Sequence, residues 1–268
     1  MKQVVLAVVA SLAVGVPAWA DVTIKMTTGG KGMGIAQTMT GTTYIKGNKM
    51  RTDLVMGDKV QTTIFDLDAQ KMFVFESQKK EADVWEMGAF MQEMGTAVDL
   101  TKITGGIKPN GQTKAIGSLT AHGYDMEISV PATPGGNKDM AMTVTLVGPV
   151  WIVKGAPGAE EYNRFYRNAS EKGWIFSDPR VAKSQPGQAK AIAEMYKQFA
   201  AIGGIVYESD TQIKMSMAGS GGPGAGVMAG MLAKMNMSMQ TKVDDIQTTA
   251  LADDLFAPPA GYKLNTKK

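Results

Sequence analysis

Tyr44-Ile45-Lys46-Gly47-Asn48-Lys49-Met50-Arg51, with Ile64-Phe65-Asp66 and Lys71-Met72-Phe73-Val74-Phe75 behind it, decides how this chain folds. Gly47-Asn48 suits the two central positions of a type II′ turn, whose first residue needs φ > 0 and therefore favours glycine. Met56-Gly57-Asp58-Lys59 repeats the device, and Leu67-Asp68-Ala69-Gln70 reverses the chain once more. Such short connections predict an up-and-down meander of four strands, at about 36–46, 49–56, 59–66 and 71–76. A helix anywhere between 42 and 66 would refute that architecture.

The same rhythm extends outward. Val22, Ile24 and Met26 alternate with Thr23 and Lys25, and Tyr124, Met126, Ile128 and Val130 alternate with Asp125, Glu127 and Ser129. Met142, Val144 and Leu146 do so with threonines, Ile213, Met215 and Met217 with Lys214 and Ser216, and Met235, Met237 and Met239 with Asn236 and Ser238. A period of two places one set of side chains on a buried face and the other in water, the pattern of an antiparallel sheet with one wet side. On the 71–75 strand, Met72 and Val74 must point opposite to Phe73 and Phe75.

Three stretches leave this period. Met87, Met91 and Met94 form one stripe of a helix over Glu86 to Met94, and Tyr162, Phe165 and Tyr166 one over Glu160 to Lys172. Gly187 to Ala201 carries the stripe Ile192, Met195, Tyr196 and Phe199 and ends at Gly203-Gly204. The apolar face of the sheet is the surface these helices would cover. Gly219 to Gly226 is too glycine-rich for regular structure; with the apolar run that follows, residues 219–234 read as a flap or as a plain hairpin connection.

Lys2, an apolar run from Val4 to Val16 and Ala18-x-Ala20 predict an export signal over residues 1–20, cleaved before Asp21, leaving one domain over 21–268 in the periplasm. No later run has spanning length, so no stable membrane insertion is expected. The chain has no cysteine, so neither a disulfide nor a lipid-bearing cysteine is available. Its net charge of +3 is spread without long like-charge runs, which gives no nucleic-acid footprint. The 21 methionines outnumber the leucines. Three readings of them stand: core filler, the lining of an adaptable apolar cavity, or thioether ligands for a soft metal.

Catalytic chemistry is poorly supplied. His122, the single histidine, lies in Leu119-Thr120-Ala121-His122-Gly123, read as a turn with an exposed imidazole and with no nucleophile elbow nearby. The carboxylate pairs Asp66/Asp68, Asp244/Asp245 and Asp253/Asp254 read as turn or strand-end residues. Gly29 to Gly34 joins two strands rather than opening a helix, and the 219–226 loop lacks the Gly-Lys-Ser/Thr ending that grips phosphate. No enzyme and no cofactor are therefore expected. The soft-metal reading rests on Met215, Met217, Met235, Met237 and Met239, which would have to bring three sulfurs together; strand-borne methionines packed as core would not.

The Tyr44 to Arg51 hairpin, the Ile64-Phe65-Asp66 strand end, the Lys71 to Phe75 strand and the ending Phe256-Ala257-Pro258-Pro259-Ala260-Gly261-Tyr262 together resemble a family of secreted bacterial proteins akin to the periplasmic lipoprotein carriers, with the LolA-like fold. The likeness covers about residues 22–87 and the tail. The middle departs from it, since Ala121-His122-Gly123-Tyr124 lacks the family's cysteine step and the helical 158–203 stretch is long. The resemblance implies a mainly β (α+β) fold, a curved antiparallel sheet forming an incomplete barrel with helices on its concave face. It also implies a carrier of acyl chains, with a lipid or a lipoprotein as partner. The expected cavity lining is Met26, Met87, Met91, Met94, Met126, Met142, Met215, Met217, Met237 and Met239. The alternatives are a Cu(I)/Ag(I)-binding protein and an envelope interaction protein without a ligand. The oligomeric state is left open.

Overall fold

From 42 to 66 the chain is strand and turn throughout, in a computed structural model that describes residues 20–32, 35–97, 102–132, 141–217, 230 and 236–267. The expected export signal up to residue 19, the glycine loop at 219–226, the apolar run after it (Gly230 excepted) and Met235 lie outside the described residues. The meander consists of β2 (Ile35–Lys46), β3 (Lys49–Met56), β4 (Lys59–Asp66) and β5 (Lys71–Glu76). Gly47 has φ 58° and Gly57 φ 63°, while Asn48 and Asp58 keep negative φ, as type II′ turns require. At the third reversal the Asp66 carboxylate accepts from the backbone N–H groups of Asp68 and Ala69.

Around the meander lie β1 (Val22–Gly32), β6 (Glu81–Glu86), β7 (Thr104–Ile116), β8 (Leu119–Ala132), β9 (Met142–Val153), β10 (Ile205–Met217), β11 (Met237–Gln247) and β12 (Lys263–Lys267). The twelve make one sheet in the order β12-β6-β5-β4-β3-β2-β1-β11-β10-β9-β8-β7. Every neighbouring pair is antiparallel except β12 with β6. The sheet keeps two free edges, so it is an incomplete barrel. Irregular register at Lys25/Met26, Val206/Glu208 and Pro109/Thr113 sharpens its twist.

The helices are α1 (Met87–Ala97), α2 (Ala159–Glu171), α3 (Pro179–Ser184) and α4 (Pro186–Ile202). Three match the stripes read from the sequence. The short α3 was not anticipated; Asp178 caps it by accepting from the Arg180 N–H, with Pro179 at its first position. Helix α4 lies across β7, β8 and β9 and against α2, α3 and α1, while α2 reaches β2 and β10.

The period-two reading also sorts the faces. Met50, Phe65, Met72, Val74 and Trp85 join α1 and α2 in one core with Val22 and Ile24. Phe75, with Ile64 and Ala82, meets Phe256 on the other side, where the Leu251 to Tyr262 segment lies over the sheet. Under α4, Tyr124, Met126, Ile128, Leu146 and Ile152 form a further core with Phe199. Two smaller readings need correction. His122 is exposed, but inside β8 rather than in a turn, because the reversal sits at Gly117-Ser118, ahead of the 119–123 stretch. Asp244 and Asp245 lie within β11 at its irregular pairing with β1, not at a strand end.

Candidate apolar binding site

Helix α2 is fastened to one end of the sheet by polar contacts. The carboxylate of Glu161, itself buried, accepts the Gly47 N–H at 2.5 Å and pairs with Arg164. Asn168 donates to the Asn48 side chain at 2.8 Å, and Lys172 Nζ to the Leu67 carbonyl at 2.8 Å. These three ties place α2 against the tips of the meander. Asn163 Nδ2 donates to the Gly204 carbonyl at 3.0 Å, linking α2 to the turn that leads from α4 into β10. That turn needs glycine: Gly204 has φ 94°, and a Cβ there would sit 2.6 Å from the Val153 carbonyl.

With α2 and α4 so placed, a crevice of about 90 Å³ remains between them and the sheet. Its floor comes from Ile24 and Met26 on β1, Met239 and Val243 on β11, and Ile205 on β10. Its roof is Tyr162 from α2 with Met195, Tyr196 and Phe199 from α4. Ser209, Thr211 and Thr241 add hydroxyls at the sheet side. None of the thirteen lining residues carries a formal charge.

Behind the roof stands an aromatic cluster. The Tyr166 ring stacks on Tyr196 with centroids 4.7 Å apart and planes 5° off parallel, and the Tyr162 ring lies tilted against Tyr166, also at 4.7 Å. Phe165 and Phe176 close the group edge-on or tilted. Burial pushes all three phenols upward, so they stay protonated far above neutral pH.

Of the ten methionines expected to line a cavity, Met26 and Met239 border this crevice. Met87, Met94 and Met126 are fully buried in the cores, while Met91, Met215 and Met237 are half-buried against them. Met142 and Met217 face each other across β9 and β10, both half-buried. Met195, Tyr162 and Tyr196 were not foreseen as lining, although each lies on a helical stripe visible in the sequence. Their membership of a site depends on where α2 and α4 cross, which periodicity does not encode.

A second concavity, about 460 Å³, opens on the other face of β1, β2, β9, β10 and β11. Its lining mixes Pro149 and Trp151 with threonines and the charged Glu208, Asp210 and Lys242; Glu208 pairs with Lys114, which lies 4.3 Å over the Trp151 ring, and Asp210 accepts from Gln240 at 3.0 Å. Among the described residues there is no cluster of three His, Cys, Asp or Glu placed to hold a metal, and no helix long and apolar enough to cross a membrane.

The chain matches no protein-family profile and no curated protein. It is structurally similar to PNGF-II, at 11% identity and TM-score 0.35 over 92% of this chain, but it spans only 31% of the length of that protein. It is similar as well to a LolA superfamily protein from Nitrosomonas europaea, at 8% identity and TM-score 0.28 over 89% of this chain and 90% of that one. A domain from Vibrio parahaemolyticus described as an outer membrane lipoprotein-sorting protein gives 7% identity and TM-score 0.31, over 90% of each.

Proposed function

We propose that this chain is an exported, non-enzymatic binding protein that shelters an apolar ligand, a lipid or the acyl chains of a lipoprotein, between its sheet and helices α2 and α4. The carrying observation is the uncharged crevice under Met195, Tyr196 and Phe199, lying where the two layers meet. Each methylene moved there from water contributes about 0.8 kcal/mol, so a dozen would hold a chain without any polar anchor. A space of about 90 Å³ takes only the end of such a chain. Loading therefore requires α4 to lift from the floor, and its half-buried residues Ile192, Met195 and Tyr196 mark the edge that opens. The period-two strands with a methionine-rich apolar side support the same reading.

Delivery to the periplasm with loss of residues 1–20 is part of the proposal, resting on Ala18 and Ala20 at the two specificity positions. Native mass spectrometry of the chain purified from the periplasm should show a species beginning at Asp21 with lipid-sized adducts, removed by delipidation. A bare mass, with no uptake of the uncharged dye N-phenyl-1-naphthylamine by the delipidated chain, would refute the carrier reading.

A further inference from the structure

Strands β9 and β10 carry a group of methionines that lies outside the crevice. Their register sets Met217 directly opposite Met142, and Met215 opposite Val144. Direct partners in an antiparallel ladder share a face, and so do residues two apart on one strand. Met142, Met215 and Met217 therefore project from one side of the sheet, while Thr143 and Ser216, the pair between them, take the other. All three methionines are half-buried and partly reached by water, whereas Val144 beside them is fully packed.

The spacing suits one small ion. Cβ atoms of a direct pair stand about 5 Å apart, those two residues apart on a strand about 7 Å, and diagonal neighbours about 7–8 Å. Such a triangle contains a point about 4 Å from every corner, within reach of a sulfur two bonds beyond Cβ and a metal–sulfur bond of about 2.3 Å. The pairing of β9 with β10 supplies the third sulfur, which Met215-x-Met217 alone does not contain.

Uncharged thioethers favour a soft monovalent ion over Zn(II) or Mg(II). Their neighbours on the same face are Val130, Val144 and Ile213, which offer no carboxylate or imidazole to a harder ion. The chain has no cysteine, so methionine is its only sulfur donor. Partial exposure keeps the single charge of such an ion in contact with water, which avoids the cost of full burial.

We propose that Met142, Met215 and Met217 form a three-sulfur site for Cu(I) or Ag(I), separate from the apolar crevice and independent of the carrier reading. A thioether loses no proton on binding, so the affinity of this site should not change with pH, unlike that of imidazole, thiolate or carboxylate ligands.

The test is titration of the full chain, with carbon-13 in its methionine methyl groups, by Ag(I) in chloride-free buffer, followed by NMR. One equivalent should shift the methyl signals of Met142, Met215 and Met217 together and leave those of Met72 and Met126, packed in the cores, unmoved. Cu(I) kept reduced with ascorbate should compete for the same three signals, and Zn(II) should shift none of them. The curves should coincide at about pH 5.5 and 7.5, a range across which imidazole changes charge. Met142→Leu/Met217→Leu conserves volume and should weaken Ag(I) binding at least tenfold; Met215→Leu alone, with a smaller loss, serves if the double variant does not fold. Undiminished binding in these variants, shifts scattered over methionines elsewhere, or an equal response to Zn(II) would overturn the site. Binding that weakens at the lower pH would assign the ion to His122 or to carboxylates and overturn it as well.

Discussion

The two halves of the sheet are built to different standards. Strands β4, β5 and β6 are packed on both faces: Phe65, Met72 and Trp85 lie against the helix side, and Ile64, Phe75 and Ala82 against Phe256. Strands β9, β10 and β11 have α4 and its core on one side, and on the other a polar concavity. Methionine records the contrast. Met50, Met72, Met87 and Met94 are buried to 3% exposure or less, as is Met126 on β8 under α4, whereas Met142, Met215, Met217, Met237 and Met239 on β9, β10 and β11 are all half-buried, like Met56 and Met91 on the meander side. One residue type thus serves as rigid filler in the cores and as adaptable skin along β9, β10 and β11, which suits a thioether that packs without a fixed shape. A frame packed on both faces beside a half packed on one is a sensible division of labour for the opening that the proposed loading requires.

The largest effect should separate the two halves through their phenylalanines. Phe165 has no exposed surface and is enclosed by Tyr166, Phe176 and the α2 core, so Phe165→Ala should cost about 4–5 kcal/mol. Phe199 already borders a crevice, and Phe199→Ala enlarges an existing space rather than creating one; about 3 kcal/mol is expected. Urea denaturation of both variants decides it, and equal losses would erase the contrast.

The tyrosine trio bridges the halves, two rings on α2 and one on α4, and gives that seam a pH signature. Burial raises each phenol in the folded state above its unfolded value near 10. A raised folded pKa contributes stability that is complete below about pH 10 and lost as pH rises beyond it, since only the unfolded chain then releases the protons. The loss approaches ~1.4 kcal/mol per pH unit for each phenol, about 4 kcal/mol for the trio by pH 11. Tyrosinate absorbance near 295 nm should show these rings ionising only together with unfolding. Early ionisation of all three would mean that the seam is already open.

Much of the frame was legible in the sequence because its signals are local. Gly47 and Gly57 announce turns that demand φ > 0, and period two assigns Met72 and Val74 to one face and Phe73 and Phe75 to the other. The edges were not legible. Strand β7 contains lysines, glycines and Pro109 and is mostly exposed, so it shows no alternation, and β12 pairs parallel to β6 with Leu264 over half exposed. The crevice was half legible. Tyr162, Met195, Tyr196 and Phe199 stood on helical stripes, and Met26 and Met239 on strand faces, but alternation gives the phase of a side chain and not the depth of its cover. Depth depends on where α4 crosses the strands, a fact of tertiary packing alone.

A smaller effect compares methionine with methionine. Met72→Ala removes a side chain with no exposed surface and should cost about 3 kcal/mol, while Met215→Ala in the half-buried skin should cost about 1 kcal/mol. Thermal unfolding of the pair measures the difference directly. A Met215 loss as large as that of Met72 would show that the methionine-rich half is as tightly packed as the other, and would remove the plasticity that loading requires.

The smallest effect belongs to the polar face of the open half. Lys114 pairs with Glu208 and covers the Trp151 ring at 4.3 Å, and each partner's side chain is about one-third exposed (32% and 33%). An ion pair at that exposure contributes about 0.5–1 kcal/mol, and the cation over the ring adds a similar amount. Salt separates the two parts. Raising ionic strength from 0.15 to 1 M shortens the Debye length from about 8 to about 3 Å, so the Lys114–Glu208 coupling in a double-mutant cycle of Lys114→Met and Glu208→Gln should fall by about half. The contribution of the lysine stem lying on Trp151, read from Lys114→Met in a Trp151→Leu background, should change little, because much of it is contact rather than charge. A coupling above about 2 kcal/mol that resists salt would mean that this face is dry and rigid in solution. It would then brace β9 and β10 as firmly as Phe256 braces β4 and β5, leaving the sheet no softer half on which a ligand-opening motion could draw.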